Sequence, residues 1–275
     1  MNQNIRPELA YYDMGNDVVA FSSTRRGGCS EGNHAAFNIN RYCGDNEEHI
    51  AINRQMLSQL LNIDEENIVM PHQTHGTRVA CIDNAFMTLS IEERREALEG
   101  YDALMTNLQG VCIGVSTADC IPILLHEPRQ HVLCAVHAGW RGTVARIVEK
   151  AVAAMTATYG IRPEDIMAQI GPGISLESFE VGQEVYDAFA LAGFEMEAIS
   201  ERHDKWHIDL PACNRQQLLT AGLLPANIAN CGICTYRHCH TYFSARRLGI
   251  LSGRIFTGIL RRKGTTTLSG GYGSL

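Results

Sequence analysis

The sequence lacks any apolar run near the ~20 residues that a membrane-spanning helix needs. Residues 1–16 are polar and carry no hydrophobic stretch of the kind found in signal peptides. We therefore expect a cytoplasmic protein without a membrane partner. In that compartment the ten cysteines should be mostly reduced.

An excess of positive charge is also missing. Lysine and arginine total 23 against 30 acidic residues, which gives a net charge of -7. Proteins that bind nucleic acids through the phosphate backbone present a strongly basic surface, so this class is disfavoured. A local basic pocket for a small anion is compatible with this composition.

Internal repeats and low-complexity linkers are absent from the sequence as well. The chain has 275 residues, 45% hydrophobic and 19% charged, which is ordinary globular composition. This length is sufficient for one large core, or for two closely joined halves. Residues 1–17 are expected to be an N-terminal lead-in, and residues 263–275, rich in threonine, serine and glycine, a flexible tail.

Two short apolar runs in the centre of the chain, residues 121–125 and 132–136, flank a turn. If these runs are antiparallel strands, the start of one lies beside the end of the other. Cys120 and His137 would then project at the same edge of a sheet. A thiolate beside an imidazole is a zinc-type ligand pair, and His75 in the segment P-H-Q-T-H-G is a third candidate.

Three ligands from distant segments indicate a catalytic zinc site, because structural zinc usually has four protein ligands. Asp119, next to Cys120, can orient a ligand histidine or act as a general base, and it can equally cap a turn. The same residues also fit a nucleophilic pair, in which Cys120 attacks a carbonyl and His137 is the base. Both alternatives need the thiolate, so the sequence leaves them open.

Three arginines are candidates for binding an anion. Arg25 lies in a glycine-containing loop, and Arg54 lies on the buried stripe of a helix predicted over residues 47–61. Arg141 precedes a helix predicted over residues 143–159, and helix N-termini after glycine-bearing turns favour anions. The alternatives are a surface turn with solvated arginines for Arg25, tight-turn sterics for the glycines beside Arg141, and a snorkelling side chain for Arg54.

A second group of metal-ligand residue types lies near the C-terminus: Cys231, Cys234, His238, Cys239 and His240. A second metal site here is conceivable, but no further C-x-x-C pair completes a four-ligand set. The segment H-C-H at residues 238–240 is also the single H-x-H pair in the chain. Multicopper oxidases use repeated H-x-H pairs, so this pattern disfavours a copper polyphenol oxidase without eliminating it.

Several motifs, taken in order, resemble a known family. They are S-S-T-R-R-G-G at 22–28, N-R at 53–54, Q-T-H-G at 73–76, D-A-L-M-T at 102–106, T-A-D-C-I-P at 117–122, H-A-G-W-R-G at 137–142, G-P-G-I at 171–174, and C-T-Y with F-S-A-R-R within 234–247. This set resembles the laccase-domain family of purine nucleoside phosphorylases, formerly called multicopper polyphenol oxidases. The chain departs from the family pattern at residues 31–40, which bears on substrate preference.

The resemblance implies a single α/β catalytic domain over residues 18–262, with mixed β-sheets packed between helices. It implies a zinc ion at His75, Cys120 and His137, with copper as the alternative ion. The implied reactions are phosphorolysis of adenosine, inosine, guanosine and 5′-methylthioadenosine to base and ribose 1-phosphate, and deamination of adenosine to inosine. The expected partners are therefore purine nucleosides and phosphate, and the oligomeric state is left open.

Roles follow for the residues around the expected zinc. Gln73 and Thr74 are candidates for polar contacts with the nucleoside, and the three arginines are candidates for phosphate. Asp119 is a candidate for proton transfer. The alternatives are a Cys–His hydrolase, which the resemblance of the family fold to cysteine-hydrolase-type toxins favours, a copper polyphenol oxidase, and a non-enzymatic metal-stabilised binding protein.

Overall fold

The computed structural model describes residues 6–262, so the expected tail at 263–275 lies outside the described residues. Its strands, in chain order, are β1 (Leu9–Tyr12), β2 (Val18–Ser23), β3 (Ile68–Val69), β4 (Val79–Cys81), β5 (Ala103–Thr106), β6 (Cys112–Thr117), β7 (Ile121–Glu127), β8 (Val132–Ala138), β9 (Met167–Ile170), β10 (Glu180–Val181), β11 (Ser200–Arg202), β12 (Trp206–Ile208), β13 (Ile228–Asn230) and β14 (Ile255–Arg261).

The helices are α1 (Glu47–Leu61), α2 (Asn84–Met87), α3 (Ile91–Ala97), α4 (Trp140–Val144), α5 (Ile147–Tyr159), α6 (Gln183–Leu191), α7 (Met196–Ile199), α8 (Leu210–Thr220) and α9 (Ala245–Leu248). Helix α1 has the bounds predicted from its apolar stripe, and the Asn46 side chain caps its N-terminus. Across the described residues, none of these helices has the length and hydrophobicity to cross a bilayer.

The strands form two large mixed sheets and one small sheet. The first sheet has the order β1-β2-β14-β6-β3, and the second has the order β13-β9-β7-β8-β5-β4. The pairs β3–β6, β4–β5 and β9–β13 are parallel, whereas the other pairs in these two sheets are antiparallel. The small sheet, β10-β12-β11, was not predicted from the sequence.

The β7–β8 hairpin lies at the centre of the fold and is buried on both faces. Ile123 and Val136 belong to a core shared with α5 and α8. Leu124 and Ala135 point the other way, into a core shared with the first sheet. On the far side of the first sheet, α1 packs through Leu57. The predicted arrangement, mixed β-sheets packed between helices, is confirmed.

One predicted helix is interrupted. The segment expected as a single helix over residues 143–159 is α4 followed by α5, with a break at Arg146, whose φ is 64°. Gln217 of α8 accepts a hydrogen bond from the backbone nitrogen of Val148 and donates one to the carbonyl oxygen of Thr143. These tertiary hydrogen bonds satisfy backbone groups that the break leaves unpaired, and hydrophobic periodicity alone could not reveal them.

Strand pairing brings three distant segments to one edge of the second sheet. In the β7–β8 hairpin, Ile121 lies opposite Ala138, so Cys120 and His137 lie at the same edge, as predicted. Strand β5 pairs with the other side of β8, and the backbone nitrogen of His137 donates to the carbonyl oxygen of Asp102. The start of β5 therefore joins the hairpin ends at this edge.

Candidate metal centre

The three predicted ligands converge at this edge of the sheet. One ligand atom each from His75, Cys120 and His137 lie within 4.8 Å of one another. The two imidazole centroids are 4.9 Å apart, and the rings meet edge to face at 73°. Zinc bonds of about 2.0–2.3 Å separate tetrahedral ligand atoms by roughly 3.3–3.7 Å, so small side-chain adjustments suffice for a common ion.

The loop that carries His75 is held by Asp102. The Asp102 carboxylate accepts hydrogen bonds from the backbone nitrogens of Thr74, His75 and Gly76 at 3.3, 3.0 and 2.7 Å. Three donors on one carboxylate wrap the loop tightly around it, and His75 adopts a left-handed φ of 63°. The backbone of this loop is therefore anchored independently of any bound ion.

The same carboxylate orients His137. Asp102 is fully buried, and its Oδ1 accepts a hydrogen bond from Nδ1 of His137 at 2.7 Å. Because the hydrogen of Nδ1 faces Asp102, Nε2 is the ring nitrogen left to bind a metal, which would replace any proton on it. A carboxylate on the distal nitrogen is how zinc sites commonly fix a ligand histidine. In the sequence, Asp102 stands out only as part of the motif D-A-L-M-T, because the pattern does not show the β5–β8 pairing that places it beside His137.

The electrostatics of the metal-free site favour the thiolate. Burial by itself raises the pKa of Cys120, but His137 and His75 outweigh it and lower that pKa to about 6. Burial by itself lowers the pKa of His137, but Cys120 and Asp102 outweigh it and raise that pKa to about 9. The lowered pKa of Cys120 favours the thiolate, which is the form that binds zinc and also the form that acts as a nucleophile.

Gly139 has no side chain, and the side chains of the candidate ligands occupy the space beside it. A Cβ at this position would lie 2.9 Å from Cδ2 of His75 and 3.0 Å from Sγ of Cys120. Any side chain would displace both ligands. The glycine after β8 is thus explained by the proximity of the ligand side chains rather than by its backbone conformation, which is the ordinary extended one.

The three candidate ligands line a cavity of about 520 Å³. A cavity of this size is within the range of small-molecule sites. Trp140 and Phe179 give its wall aromatic faces, and Arg246 and Arg254 give it positive charge. Two nitrogens and one sulfur from the protein, with an open side toward this cavity, fit a catalytic zinc ion, for which three protein ligands and one exchangeable position are typical.

Gln73 and Asp119 line the cavity, but their polar atoms are engaged within the protein. Nε2 of Gln73 donates to the carbonyl oxygen of Ser116, and its Oε1 accepts from the Ser116 nitrogen, both at 2.8 Å. The Asp119 oxygens accept from Oγ1 of Thr235 at 2.7 Å and from the nitrogen of Arg246 at 2.6 Å. Asp119 therefore anchors the segment that begins α9, which corresponds to its capping alternative.

The structure does not bring Arg25 or Arg54 to this cavity. Arg25 donates to the carbonyl oxygens of Ala35 and Cys239, each at 2.9 Å. Arg54 pairs with Glu65 at 3.1 Å and lines a separate cavity of about 620 Å³. Both guanidinium groups satisfy internal acceptors, an outcome that the sequence pattern could not distinguish from anion binding.

Thr74 and Arg141 are also outside the cavity wall. Thr74 contributes its backbone nitrogen to Asp102, as described above. The Arg141 guanidinium stacks on the Trp140 ring, 4.3 Å from its centroid, and the residue is exposed. The basic groups that do line the cavity, Arg246 and Arg254, were not predicted as site residues, although the motif F-S-A-R-R contains the first of them.

The cysteine- and histidine-rich segment at residues 231–240 does not form a comparable cluster. The Cys234 thiol lies 3.5 Å from Oγ of Ser178 and from the nitrogen of Ser175. Nδ1 of His238 is 3.0 Å from the carbonyl oxygen of Cys234. Within residues 6–262, no three ligand-type side chains of this segment come within metal-binding distance of one another.

Comparison with known proteins identifies the family. Residues 19–262 match the family described as multi-copper polyphenol oxidoreductase laccase. The chain belongs to this family. Its likeness to solved structures extends over the whole fold: YfiH from Bacillus licheniformis superimposes with a TM-score of 0.86 at 26% sequence identity, covering 95% of this chain and 98% of that one.

Two relatives of this laccase-family chain carry names that refer to purine nucleosides. A protein of Bacteroides thetaiotaomicron named purine nucleoside phosphorylase is 46% identical over 250 residues, 90% of this chain and 93% of the relative. A protein of an unknown prokaryotic organism named adenosine deaminase RL5 is 45% identical over 248 residues, 89% of this chain and 94% of the relative.

The ligand arrangement of this laccase-family chain fits a single ion better than a multicopper cluster. In the described part of the chain, ligand-type side chains converge in two groups of three, namely His75, Cys120 and His137, and Asp17, His126 and His131. Cys120 and His126 lie at opposite ends of strand β7, which at ~3.3 Å per residue separates the groups by roughly 20 Å. Ions in the two groups could not share ligands.

Alkylation should show the ionisation of Cys120 directly. In metal-stripped protein we expect iodoacetamide to modify Cys120 rapidly at pH 7.5, and the rate to fall as the pH drops through about 6, because the thiolate becomes protonated. Zinc should protect Cys120 by occupying the sulfur. Peptide mass spectrometry over a pH series, with and without zinc, measures both effects.

Cys134 provides the internal control for this experiment, because it is fully buried and burial raises its pKa far above neutrality. It should stay unmodified throughout. Equal alkylation of Cys120 with and without zinc would contradict a zinc ligand and favour the Cys–His nucleophile.

Proposed function

We propose that this chain processes purine nucleosides with a zinc ion held by His75, Cys120 and His137. The observation that carries the proposal is the convergence of these three side chains in a cavity of about 520 Å³. The names of the two relatives, purine nucleoside phosphorylase and adenosine deaminase RL5, support the substrate class. We further propose phosphorolysis of adenosine, inosine, guanosine and 5′-methylthioadenosine, together with deamination of adenosine.

The cavity wall suits a purine nucleoside. Trp140 and Phe179 offer aromatic faces to a planar base. Asn40 also lines the cavity and ends the segment at residues 31–40, where the chain departs from the family pattern. Its amide donates to Oγ of Ser116 at 2.5 Å, so the departing segment is tied to the wall. We propose that this segment influences which nucleoside the cavity prefers.

When bound, zinc would supply a Lewis acid that lowers the pKa of water and polarises the attacked centre. Two buried carboxylates position the groups around the ion. Asp102 keeps the hydrogen of His137 on Nδ1 and so keeps Nε2 directed to the ion. Asp119 uses both oxygens to hold Thr235 and the start of α9, so we assign it a positioning role rather than that of a general base.

Phosphate requires a positive group on the cavity wall. Arg246 meets this requirement, because its Nη1 donates to the carbonyl oxygen of Glu180 at 3.0 Å and leaves other nitrogens of the exposed guanidinium for an anion. Arg254 is committed to carbonyl oxygens, including that of Ile250 at 2.8 Å. We therefore place phosphate on Arg246 rather than on Arg25, Arg54 or Arg141.

Purified protein incubated with adenosine tests the proposal. We expect inosine with or without phosphate, and adenine with ribose 1-phosphate when phosphate is present. Formation of neither product would reject both activities. Reloading metal-stripped protein with zinc or with copper, each alone, identifies the ion that restores turnover.

The same assay separates the arginines. Arg246→Ala should raise the KM for phosphate by roughly tenfold or more, since a hydrogen bond to a charged group contributes ~1.5–3 kcal/mol. Inosine formation needs no phosphate and should be unchanged. Arg141→Ala is the matched control: Arg141 is exposed and does not line the cavity, so this variant should keep the wild-type KM for phosphate.

A Cys–His hydrolase is the second candidate function. The observation that favours it is the proximity of Cys120 to His137, which lowers the pKa of the thiol. In that mechanism His137 must release a proton to the leaving group, and zinc should inhibit. Activation of nucleoside turnover by zinc therefore distinguishes the two functions.

A further inference from the structure

Three more ligand-type side chains converge at the opposite end of the β7–β8 hairpin. Asp17, His126 and His131 each place one ligand atom within 4.8 Å of the others. Asp17 directly precedes β2, His126 is near the end of β7, and His131 directly precedes β8. The segment that carries Asp17 is distant in the chain from the hairpin that carries both histidines.

His126, a member of this cluster, has an unpaired ring nitrogen. The residue is fully buried, and its Nδ1 lies 2.6 Å from the carbonyl oxygen of Met14. A carbonyl can only accept, so Nδ1 carries the hydrogen and Nε2 keeps a lone pair. Nε2 is buried and has no hydrogen-bond partner among the described residues. Because buried polar atoms are almost always paired, this lone pair points to a missing ligand.

His131 and Asp17 complete the cluster from the solvent side. Nδ1 of His131 lies 2.9 Å from Oδ2 of Asp17, so one ion could contact both side chains. The two side chains are 35% and 43% exposed, so an ion can reach them from solution. Nε of Arg261 lies 3.4 Å from the same carboxylate oxygen. The ion pair with Arg261 gives the Asp17 carboxylate a partner in the metal-free protein, but Nε2 of His126 is left without a partner among the described residues.

We propose that Asp17, His126 and His131 form a second metal site, for a divalent transition ion of the zinc type. Two imidazoles and one carboxylate suit such ions, whereas calcium and magnesium prefer oxygen ligands. The Met14 carbonyl on Nδ1 of His126 is the outer partner that fixes a ligand imidazole. The positive charge of Arg261 next to Asp17 weakens cation binding, so the affinity is lower than at the thiolate-containing centre.

A bound ion would join the loop between β1 and β2 to the turn between β7 and β8. It binds the folded chain and not the separated segments, so it stabilises the fold in proportion to its occupancy. This role is independent of the nucleoside chemistry proposed for the first centre.

Cobalt(II) titration of metal-stripped, full-length protein tests the site. The first centre contains sulfur and should give a thiolate-to-cobalt charge-transfer band. The second contains none and should add only ligand-field absorption. We expect two equivalents bound to wild type and one to His131→Asn or Asp17→Asn, with the charge-transfer band unchanged. Asparagine is chosen at position 131 because it tolerates the φ of 56° there.

His203→Asn is the matched control. His203 is an exposed histidine 3.5 Å from Glu201, and among the described residues it belongs to no group of three ligand-type side chains within 4.8 Å of one another, so this variant should still bind two equivalents. Nucleoside turnover should be the same in His131→Asn as in wild type. One equivalent in wild type, or two in both His131→Asn and Asp17→Asn, would overturn the proposal.

Discussion

His75→Asn is expected to lose zinc from the first centre and to reduce nucleoside turnover by roughly a thousandfold or more, with the fold retained. An ion that polarises the attacked centre is worth several kcal/mol of transition-state stabilisation, and each ~1.4 kcal/mol is a factor of ten. The loop should survive because Asp102 anchors its backbone, and asparagine accepts the φ of 63°. Elemental analysis, initial rates and circular dichroism measure the three outcomes.

His131→Asn is the control for this experiment, because it makes the same substitution at another left-handed position, remote from the first centre. Its turnover should match wild type. If His75→Asn unfolds while His131→Asn does not, the first metal is needed for the fold, and the metal-stabilised binding protein becomes the better interpretation. Full turnover in zinc-free His75→Asn would contradict the catalytic site itself.

Asp102→Asn is expected to weaken zinc binding by about 10–100-fold, the usual cost of losing the outer partner of a ligand histidine. An amide offers one oxygen and one NH₂ group, whereas this carboxylate receives donors on both oxygens. If the NH₂ group faces His137, the ring must carry its hydrogen on Nε2 and cannot bind the ion through that nitrogen. If the NH₂ group faces the loop, it meets the backbone N–H groups of Thr74 and Gly76, so donors face a donor and these hydrogen bonds are lost.

The stability of Asp102→Asn should also fall. A loss of about 3 kcal/mol, a reasonable sum for weakened hydrogen bonds to a charged group, lowers Tm by roughly 6–12 °C. Zinc competition against a chelator and thermal unfolding of the metal-free protein measure the two effects separately. Asp119→Asn is the control, because it also alters a buried carboxylate that accepts two hydrogen bonds, next to the candidate ligand Cys120. Equal zinc affinities in Asp102→Asn and Asp119→Asn would show that the Asp102 carboxylate does not contribute specifically to zinc binding.

The parts of this site that could be predicted from sequence depend on local geometry. A hairpin places the residue before its first strand beside the end of its second, so Cys120 and His137 could be paired from the apolar pattern alone. Helix α1 was likewise predicted from its periodicity and cap. His75 was a weaker candidate, and its assignment as a ligand depended on the family resemblance.

The parts that were missed depend on contacts between distant segments. Asp102 reaches His137 only because β5 pairs with β8 across two intervening strands in the chain. Arg246 reaches the cavity because Asp119 binds its backbone nitrogen. Conversely, the sequence makes Arg25 and Arg54 candidates for phosphate because it does not show which carbonyl and carboxylate groups bind each guanidinium in the fold.

Asp102 positions two of the three candidate ligands before an ion binds. One buried carboxylate sets both the loop that carries His75 and the ring of His137, so two of the three ligands stand ready in the empty protein. Little chain entropy is then given up when the ion arrives, and uptake needs no slow rearrangement of the backbone. Loading should approach the speed of a simple collision step, and the metal-free form should be a native conformation rather than a folding intermediate.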